Sequence, residues 1–361
     1  MPIYSLGIRS NEWYDQLFQS DFDISTVSWI RSLENLERGY SNSLFLSRLL
    51  SRSHKRRLAQ YEHIFPRGVP AFSEKENYIL ETAIDWMVEN LQDSSSPYFS
   101  YVHLLPPHVP YNTRIDFVDR FMDDGYQPIH KPRHPLGQKP YTYEVQTKAR
   151  RMYDEFVLYA DSEFNRLMDI LKQRGILENT FVILTSDHGE MFERGIREHL
   201  IPSFHRPLMH IPLVIFPPGQ AERVDIHSLT TTIDLMPTIL DFAGNPLPEW
   251  LEGEILPPFN QAPQSNRTIF SVDFKRSPKS GPITDGSIMI RTGSYKFTHL
   301  FGTQRPYDRL PDSSMFELYN LADDPDELDN QFHPDDTLSK TMIEMMEDRI
   351  REKNLELIRY N

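Results

Sequence analysis

The 361-residue chain contains no cysteine. That excludes disulfide cross-links, thiolate metal sites and a cysteine nucleophile, and makes a reducing, cytoplasmic setting the expectation. Long apolar runs are missing too. No stretch approaches the roughly 18–20 residues that span a bilayer, so no membrane partner is expected. The opening MPIYSLGIRSNEW lacks a basic segment followed by an apolar one, which argues against a signal peptide there. Basic residues are the minority, 38 Lys and Arg against 52 Asp and Glu, for a net charge of −14. A field of that sign repels polyanions and excludes general nucleic-acid binding. One basic knot, Arg52, His54, Lys55, Arg56 and Arg57, runs against the trend and is expected to be a solvated helix face.

What is present is an ordinary globular composition, 39% hydrophobic and 25% charged, long enough for one large domain and an appendage. Apolar residues recur at helical spacing over Ser73–Leu91, with Ile79, Ala83, Trp86, Met87 and Leu91 on one stripe. They do so again over Tyr143–Arg174, through Tyr153, Phe156, Val157, Ala160, Phe164, Leu167, Met168 and Leu171, with Gly175 as the stop. Asp23–Leu58 is polar and helical in texture. Apolar runs at Tyr98–Leu105, Phe181–Thr185 and Ile211–Phe216 predict strands, and Thr232–Ala243 predicts another helix. This alternation predicts an α/β domain over residues 1–253, with a mostly parallel central sheet flanked by helices. Beyond Glu254 the texture changes to Pro- and Asn-rich linkers and hairpin pieces, Thr268–Asp273, Ser287–Arg291 and Tyr295–Leu300. A turn is predicted at Thr292-Gly293-Ser294. With a terminal amphipathic helix over Leu338–Ile358, residues 254–361 form a small α+β subdomain with an antiparallel sheet.

Chemistry concentrates where the strand FVILT runs into Ser186, Asp187, His188 and Gly189. Ligands of open α/β sheets gather at the carboxyl ends of strands. Asp187 and His188 are adjacent metal ligands there, and Gly189 lets the backbone turn sharply or approach a bound group. A carboxylate with an imidazole suits a divalent cation, Ca²⁺ first, with Mg²⁺, Mn²⁺ and Zn²⁺ open. His108, held between prolines in a long Pro106–Pro140 loop, is placed to serve an oxyanion or a leaving group. His103 lies in the predicted strand and is expected to pack. The segment from Arg197 to Leu213 leaves the metal strand and returns to the next one, so it crosses the mouth of the site. His199 is the first candidate there for catalysis or anion binding, His205 the second, and His210 is expected to be structural.

Taken together these segments resemble the sulfatase family of the alkaline phosphatase-like superfamily. FVILTSDHGE, a loop with His199 and then HRPLMHIPLVIFPPG match in order and spacing. YFSYVHLLPPHVPY is similar to a family strand ending in a substrate-facing His, YDEFVLYADSEFNRLMDILKQRGILENT to the helix before the metal strand, and TTTIDLMPTILDFAG to the segment after it. IMIRTGSYKFTH with FELYNLADDPDELDN is similar to the typical sulfatase ending. The resemblance implies an alkaline phosphatase-like sandwich acting on a small-molecule or carbohydrate sulfate ester, with phosphate or phosphonate esters as a close variant and a non-catalytic fragment that binds a partner or an anion as the alternative. Asp187 and His188 would hold the metal, and His108 and His199 would meet the sulfate or leaving group. Asp161 matches a recurrent family position but sits mid-helix, where a supporting role is expected.

The chain departs from the family at one place. Family members carry an N-terminal strand with a pair of Asp ligands, followed by a Cys/Ser-x-Pro-x-Arg nucleophile motif. Here there is no cysteine, and none of the 28 prolines is followed two positions later by Arg. Tyr4–Trp13 is similar to a family segment about a hundred residues into a complete protein. The expectation is therefore a sulfatase-like chain lacking that first portion, weak or inactive by itself. Exposed strand edges would then make it prone to associate with another chain.

Overall fold

The computed structural model describes residues 3–4 and 59–357, except 60, 74–75, 78, 93–96, 128, 138–140, 200, 221, 261–266, 276, 279, 354 and 356. The polar segment Asp23–Leu58 with its basic knot, and most of Tyr4–Trp13, lie outside the described residues. The chain divides into two compact units. The first takes residues 1–128, 142–181 and 217–219, and the second takes 129–141, 182–216 and 220–361.

In the first unit β1 (Ile3–Tyr4) pairs in parallel with β4 (Phe99–Ser100). A short antiparallel ribbon joins β2 (Ala71–Ser73) to β3 (Glu76–Asn77). Ser73 therefore belongs to that ribbon, and helix α1 runs over Leu80–Gln92 instead of starting at 73. Helix α2 (Tyr143–Gln173) follows the sequence pattern closely. The Thr142 side chain accepts from the amide of Val145 at its start, and Gly175 takes the left-handed conformation beyond its end (φ 68°). Tyr159 is packed by the rings of Phe65, Phe117 and Phe156 at 5.6–6.2 Å.

The apolar stripe of α2 also contains two carboxylates that periodicity alone does not reveal. Glu155 and Glu163 are buried on α2. Glu155 is neutralised by Arg67, and Glu163 by Arg166 at 2.7 Å. An unpaired buried charge would be prohibitive, so each is buried against an arginine that stays partly exposed. Val157, expected inside, is exposed.

The second unit contains β5 (Val182–Thr185) and β6 (Leu213–Phe216), paired antiparallel from Val182↔Phe216 to Thr185↔Leu213. A one-turn helix α3 (Arg206–Met209) precedes β6, and α4 (Leu235–Phe242) follows it. The C-terminal strands form an antiparallel sheet in the order β10 (Ser314–Asn320), β9 (Tyr295–Phe301), β8 (Gly286–Thr292), β7 (Thr268–Asp273). The β8–β9 hairpin closes at Thr292↔Tyr295 around Gly293-Ser294, and Gly293 supplies the positive φ of 52° that such a tight turn needs. Helix α5 (Thr337–Glu352) lays Met342 and Met346 on the sheet, against Ile288, Ile290, Phe297, Phe301 and Leu318.

Strand Tyr98–Leu105 contracts to Phe99–Ser100, and parallel pairing among the described residues is confined to β1–β4; the metal strand pairs antiparallel with its neighbour. The chain returns through a loop and the single turn α3, without the crossover helix that a parallel pair requires. The second compact unit takes in residues on both sides of 253. Leu300, Tyr307 and Leu310 share one core with Leu136, Met191, Ile196, Ile201 and Leu208, so the loop after the metal strand folds with the C-terminal sheet.

Candidate metal and catalytic site

Strand β5 delivers Asp187 and His188 to its carboxyl end, and the next residue fixes their backbone. The amide of Gly189 donates to the Leu208 carbonyl at 2.9 Å. A Cβ built on Gly189 would lie 2.0 Å from the Pro207 carbonyl oxygen, so no side chain fits there. Ser186 Oγ donates to the carbonyl of His188 at 2.7 Å, and the Asp187 carboxylate accepts from the amide of His188 at 3.0 Å.

The imidazole of His188 is preset for ligation. Its Nδ1 lies 2.9 Å from the Gly189 carbonyl, an acceptor that keeps the ring proton on Nδ1 and leaves the lone pair on Nε2. Nε2 sits 3.6 Å from Asp187 Oδ2. The two side chains therefore stand side by side at an exposed strand end. Among the described residues no group of three His, Cys, Asp or Glu side chains is arranged to hold a metal. Asp187 and His188 fit part of a coordination sphere and do not complete one.

His199 joins them. Its ring stacks on that of His188 with centroids 4.0 Å apart and planes at 29°. Its Nδ1 lies 3.4 Å from each oxygen of Glu190, whose side chain is 5% exposed. That carboxylate holds the His199 ring above the ordinary histidine range against its partial burial, and the charges of Asp187 and Glu198 add to the effect. The loop carrying His199 turns through Arg194, Gly195 and Glu198, all with positive φ, and the amide of Glu198 donates to the Met191 carbonyl at 2.9 Å. Met191 and Ile196 anchor the loop in the core.

Behind the loop lies a buried ionic network that the sequence did not suggest. Lys296 on β9 pairs with Glu327 and donates to the Phe204 carbonyl at 2.6 Å, and Glu327 also accepts from the amide of Arg206 at 3.0 Å. His134 Nε2 lies 3.3 Å from Glu317, which also accepts from the Tyr319 hydroxyl at 3.0 Å. Burial works to raise the Glu317 carboxyl, but His134 and the nearby cations override it and hold it at about 2. His205, the second candidate, is 1% exposed, and its Nδ1 meets Ser203 Oγ at 2.9 Å. Burial drives its ring well below the ordinary range, so it stays neutral and structural, sealed from any substrate.

The structure thus brings Asp187, His188 and His199 together in the second unit, and adds Glu190. The signal for Glu190 was its place directly after the metal motif. His108 belongs to the first unit, where its Nδ1 lies 2.7 Å from the Val109 carbonyl, between the cis bonds Pro106–Pro107 and Val109–Pro110. His103 lies beyond the short strand and is exposed, edge-on to Tyr101 at 6.4 Å. His210 caps α3 and is exposed, and so is Asp161 on α2.

The sulfatase family model matches residues 23–245, more than half of the chain. The model described as N-sulphoglucosamine sulphohydrolase, C-terminal, matches residues 201–356. The chain is 27% identical over 287 residues to arylsulfatase K of Bos taurus, covering 69% of this chain and 50% of that protein. It is 27% identical over 258 residues to choline-sulfatase of Rhizobium meliloti (strain 1021), covering 66% and 48%. The chain spans about half the length of these curated relatives. Its fold is similar to that of phosphonate monoester hydrolase of Agrobacterium radiobacter, with a TM-score of 0.65 and 20% identity, covering 92% of this chain and 70% of that one.

Proposed function

Because the chain belongs to the sulfatase family, we propose that it carries the cation-binding and leaving-group side of a site for hydrolysing sulfate esters of small alcohols or sugars. The observation that supports this most is the Asp187, His188 and His199 cluster at the end of β5, inside the matched region. A sugar substrate is favoured by the second match, to the C-terminal part of a protein named for a sulfated glucosamine. The mostly parallel central sheet of the alkaline phosphatase-like sandwich belongs to the same reading, and so does cytoplasmic residence, which rests on the lack of cysteine.

In this reading Asp187 and His188 Nε2 hold a divalent cation, Ca²⁺ before Mg²⁺, Mn²⁺ or Zn²⁺. Once bound, the cation supplies Lewis-acid withdrawal of charge from the ester oxygens. His199, whose ring Glu190 pushes above the ordinary histidine range, gives a proton to the departing alcohol oxygen and neutralises charge on the sulfate. No residue stands in a Cys/Ser-x-Pro-x-Arg setting to attack sulfur, so turnover by the 361-residue chain alone is expected to be weak or absent.

A second reading, a non-catalytic chain that binds the cation and an anion, is favoured by the missing third ligand among the described residues. The test is to titrate Ca²⁺, Mg²⁺, Mn²⁺ and Zn²⁺ and then p-nitrophenyl sulfate into the chain and Asp187→Ala. A cation-dependent rise in Tm and cation-dependent binding of the ester, both lost in Asp187→Ala, are expected. Identical behaviour of the two proteins would sink the assignment. Release of p-nitrophenol at a rate typical of relatives, lost in Asp187→Ala, would decide for the enzyme and against the binding-only reading.

A further inference from the structure

In the first unit the turn Asp119–Tyr126, part of the long loop after Pro106, is laid along helix α2. Its backbone takes positive φ near both ends, 62° at Asp119 and 72° at Gly125. Glycine adopts that conformation freely and aspartate less so, so contacts to α2 must hold the turn in place. At one end the Asp119 amide donates to Glu155 Oε1 at 2.9 Å, and Arg67 pairs with both Asp119 and Glu155. At the other end the Arg150 guanidinium lies 3.7 Å over the ring of Tyr126, with Nη1 3.2 Å from Asp124 Oδ2. Nη2 of the same guanidinium is 2.6 Å from Asp154, one helical turn further on and 24% exposed. One cation therefore serves two carboxylates, and seating the turn brings the second of them against the first. The charged groups facing Asp154 are Arg150 and Glu155 on its own helix and Asp124 from the turn, with Arg151 acting on Asp124 more weakly than Arg150 does. Asp124 stays ionised, since the Tyr126 amide first, then Arg150 and Arg151, hold its carboxyl below the ordinary range. A proton taken up by the cluster therefore goes to Asp154. It relieves the crowding of like charges and leaves the Arg150–Asp124 link to the turn intact.

We propose that Asp154 is a pH-sensitive latch on the Asp119–Tyr126 turn: protonated, it lets the turn stay seated on α2, and ionised, beside Asp124, it loosens the turn. Burial, with Asp124 and Glu155 adding to it and Arg150 opposing, raises the Asp154 carboxyl from 3.8 to about 6 in the seated form. A carboxyl raised in one state favours that state when protonated. Seating is therefore favoured below pH 6 and weakens as pH rises through 6. Between pH 5 and pH 7.5 the opening constant of the turn should rise by about tenfold if opening returns Asp154 fully to water. Solvent screening of a partly exposed group reduces that to roughly several-fold. The latch does not depend on what the strand-end site binds, and it acts on a loop of the length that compact domains keep for function.

Hydrogen exchange of the full chain reads the turn directly. The amides of Asp119, bonded to Glu155, and of Tyr126, bonded to Asp124, are followed between pH 5 and pH 7.5, with protection factors corrected for the intrinsic pH dependence of exchange. In the wild type their protection should fall by roughly several-fold as pH rises, while the amides of Phe156 and Tyr159 inside α2 hold theirs. In Asp154→Asn, neutral and of the same shape, turn protection should stay at the wild type's low-pH level throughout. A titration of ¹³C-labelled aspartate carboxyls, with Asp154 assigned through its bonded backbone, should give a midpoint near 6. The proposal is overturned by turn protection that does not change with pH, or that changes equally in Asp154→Asn. It is also overturned if the turn loses protection only together with the interior of α2, or if Asp154 titrates at the ordinary carboxylate value. Should the asparagine variant not fold, the exchange profile and the carboxyl titration of the wild type decide the matter by themselves.

Discussion

His299, on β9, makes the stability of the second unit depend on pH in a calculable way. Its ring stacks on Phe316 at 4.1 Å and 12°, meets Phe301 at 4.9 Å, and its Nε2 lies 3.0 Å from Ser314 Oγ. Nδ1 is buried without a hydrogen-bond partner. Burial lowers the ring from 6.5 to about 4 in the folded chain. The folded pKa is depressed, so the unfolded chain takes up the proton first. The contribution is therefore present above pH 6.5 and is lost as pH falls toward 4. The gap between 6.5 and about 4, at roughly 1.36 kcal/mol per pH unit, amounts to about 3 kcal/mol. His299→Phe keeps the stacking and removes the titrating group and the orphaned nitrogen. It gives up one hydrogen bond, worth about 1 kcal/mol. At pH 7 the variant should lie within about 1 kcal/mol of wild type. Between pH 7 and pH 4.5 the difference should move by about 2.5 kcal/mol in its favour. Urea unfolding followed by circular dichroism at half-unit pH steps measures this. His205 contributes in both proteins and cancels, and Glu317, at about 2, titrates below the window. Parallel stability curves for the two proteins across that range would refute the assignment of a buried, neutral His299.

Two further substitutions probe the frame of the site. Gly189→Ala places a Cβ against the Pro207 carbonyl, a backbone atom that cannot swing away, and the strand end must shift. Urea unfolding should show a loss of about 1–3 kcal/mol, with the Asp187-dependent cation response abolished; an unperturbed response would show that the close approach is not required. Asp234, fully buried, accepts from Arg267 through two bonds of 2.6 Å and from the amides of Thr231 and Glu254. Asp234→Asn removes the closer of the two carboxylates on Arg267, leaving only Glu254 at 3.5 Å, and should lower the unfolding free energy by about 3 kcal/mol; a change under about 1 kcal/mol would mean Arg267 is solvated instead.

Much of the site was legible from residues 181–199 alone. An apolar run ending in Asp-His-Gly declares a strand end and a close backbone approach, and both reappear, in β5 and in the Gly189–Pro207 contact, with the Asp187 and His188 side chains 3.6 Å apart beside them. The α2 helix and the Gly293-Ser294 hairpin were equally plain, because period, capping residue and turn residue act over a few neighbours. Strand direction was not legible, since an apolar run reads the same whichever way its partner lies. Burial of Glu155, Glu317 and Lys296 was hidden as well. Composition assigns such residues to the surface, and only partners far away in sequence make their burial affordable.

The sequence by itself singled out Asp187, His188 and His199 as the candidate residues and the elements that present them, because those choices follow from side-chain chemistry and short-range pattern. Tertiary structure decided everything that depends on what comes near in space. It seals His205 and exposes His210, although both lie in the same loop, and it gives each of the two site imidazoles an acceptor at Nδ1. It also sets Glu190 against His199. Burial, tautomer and charge are properties of surroundings, and the surroundings of these residues come together only when the chain folds.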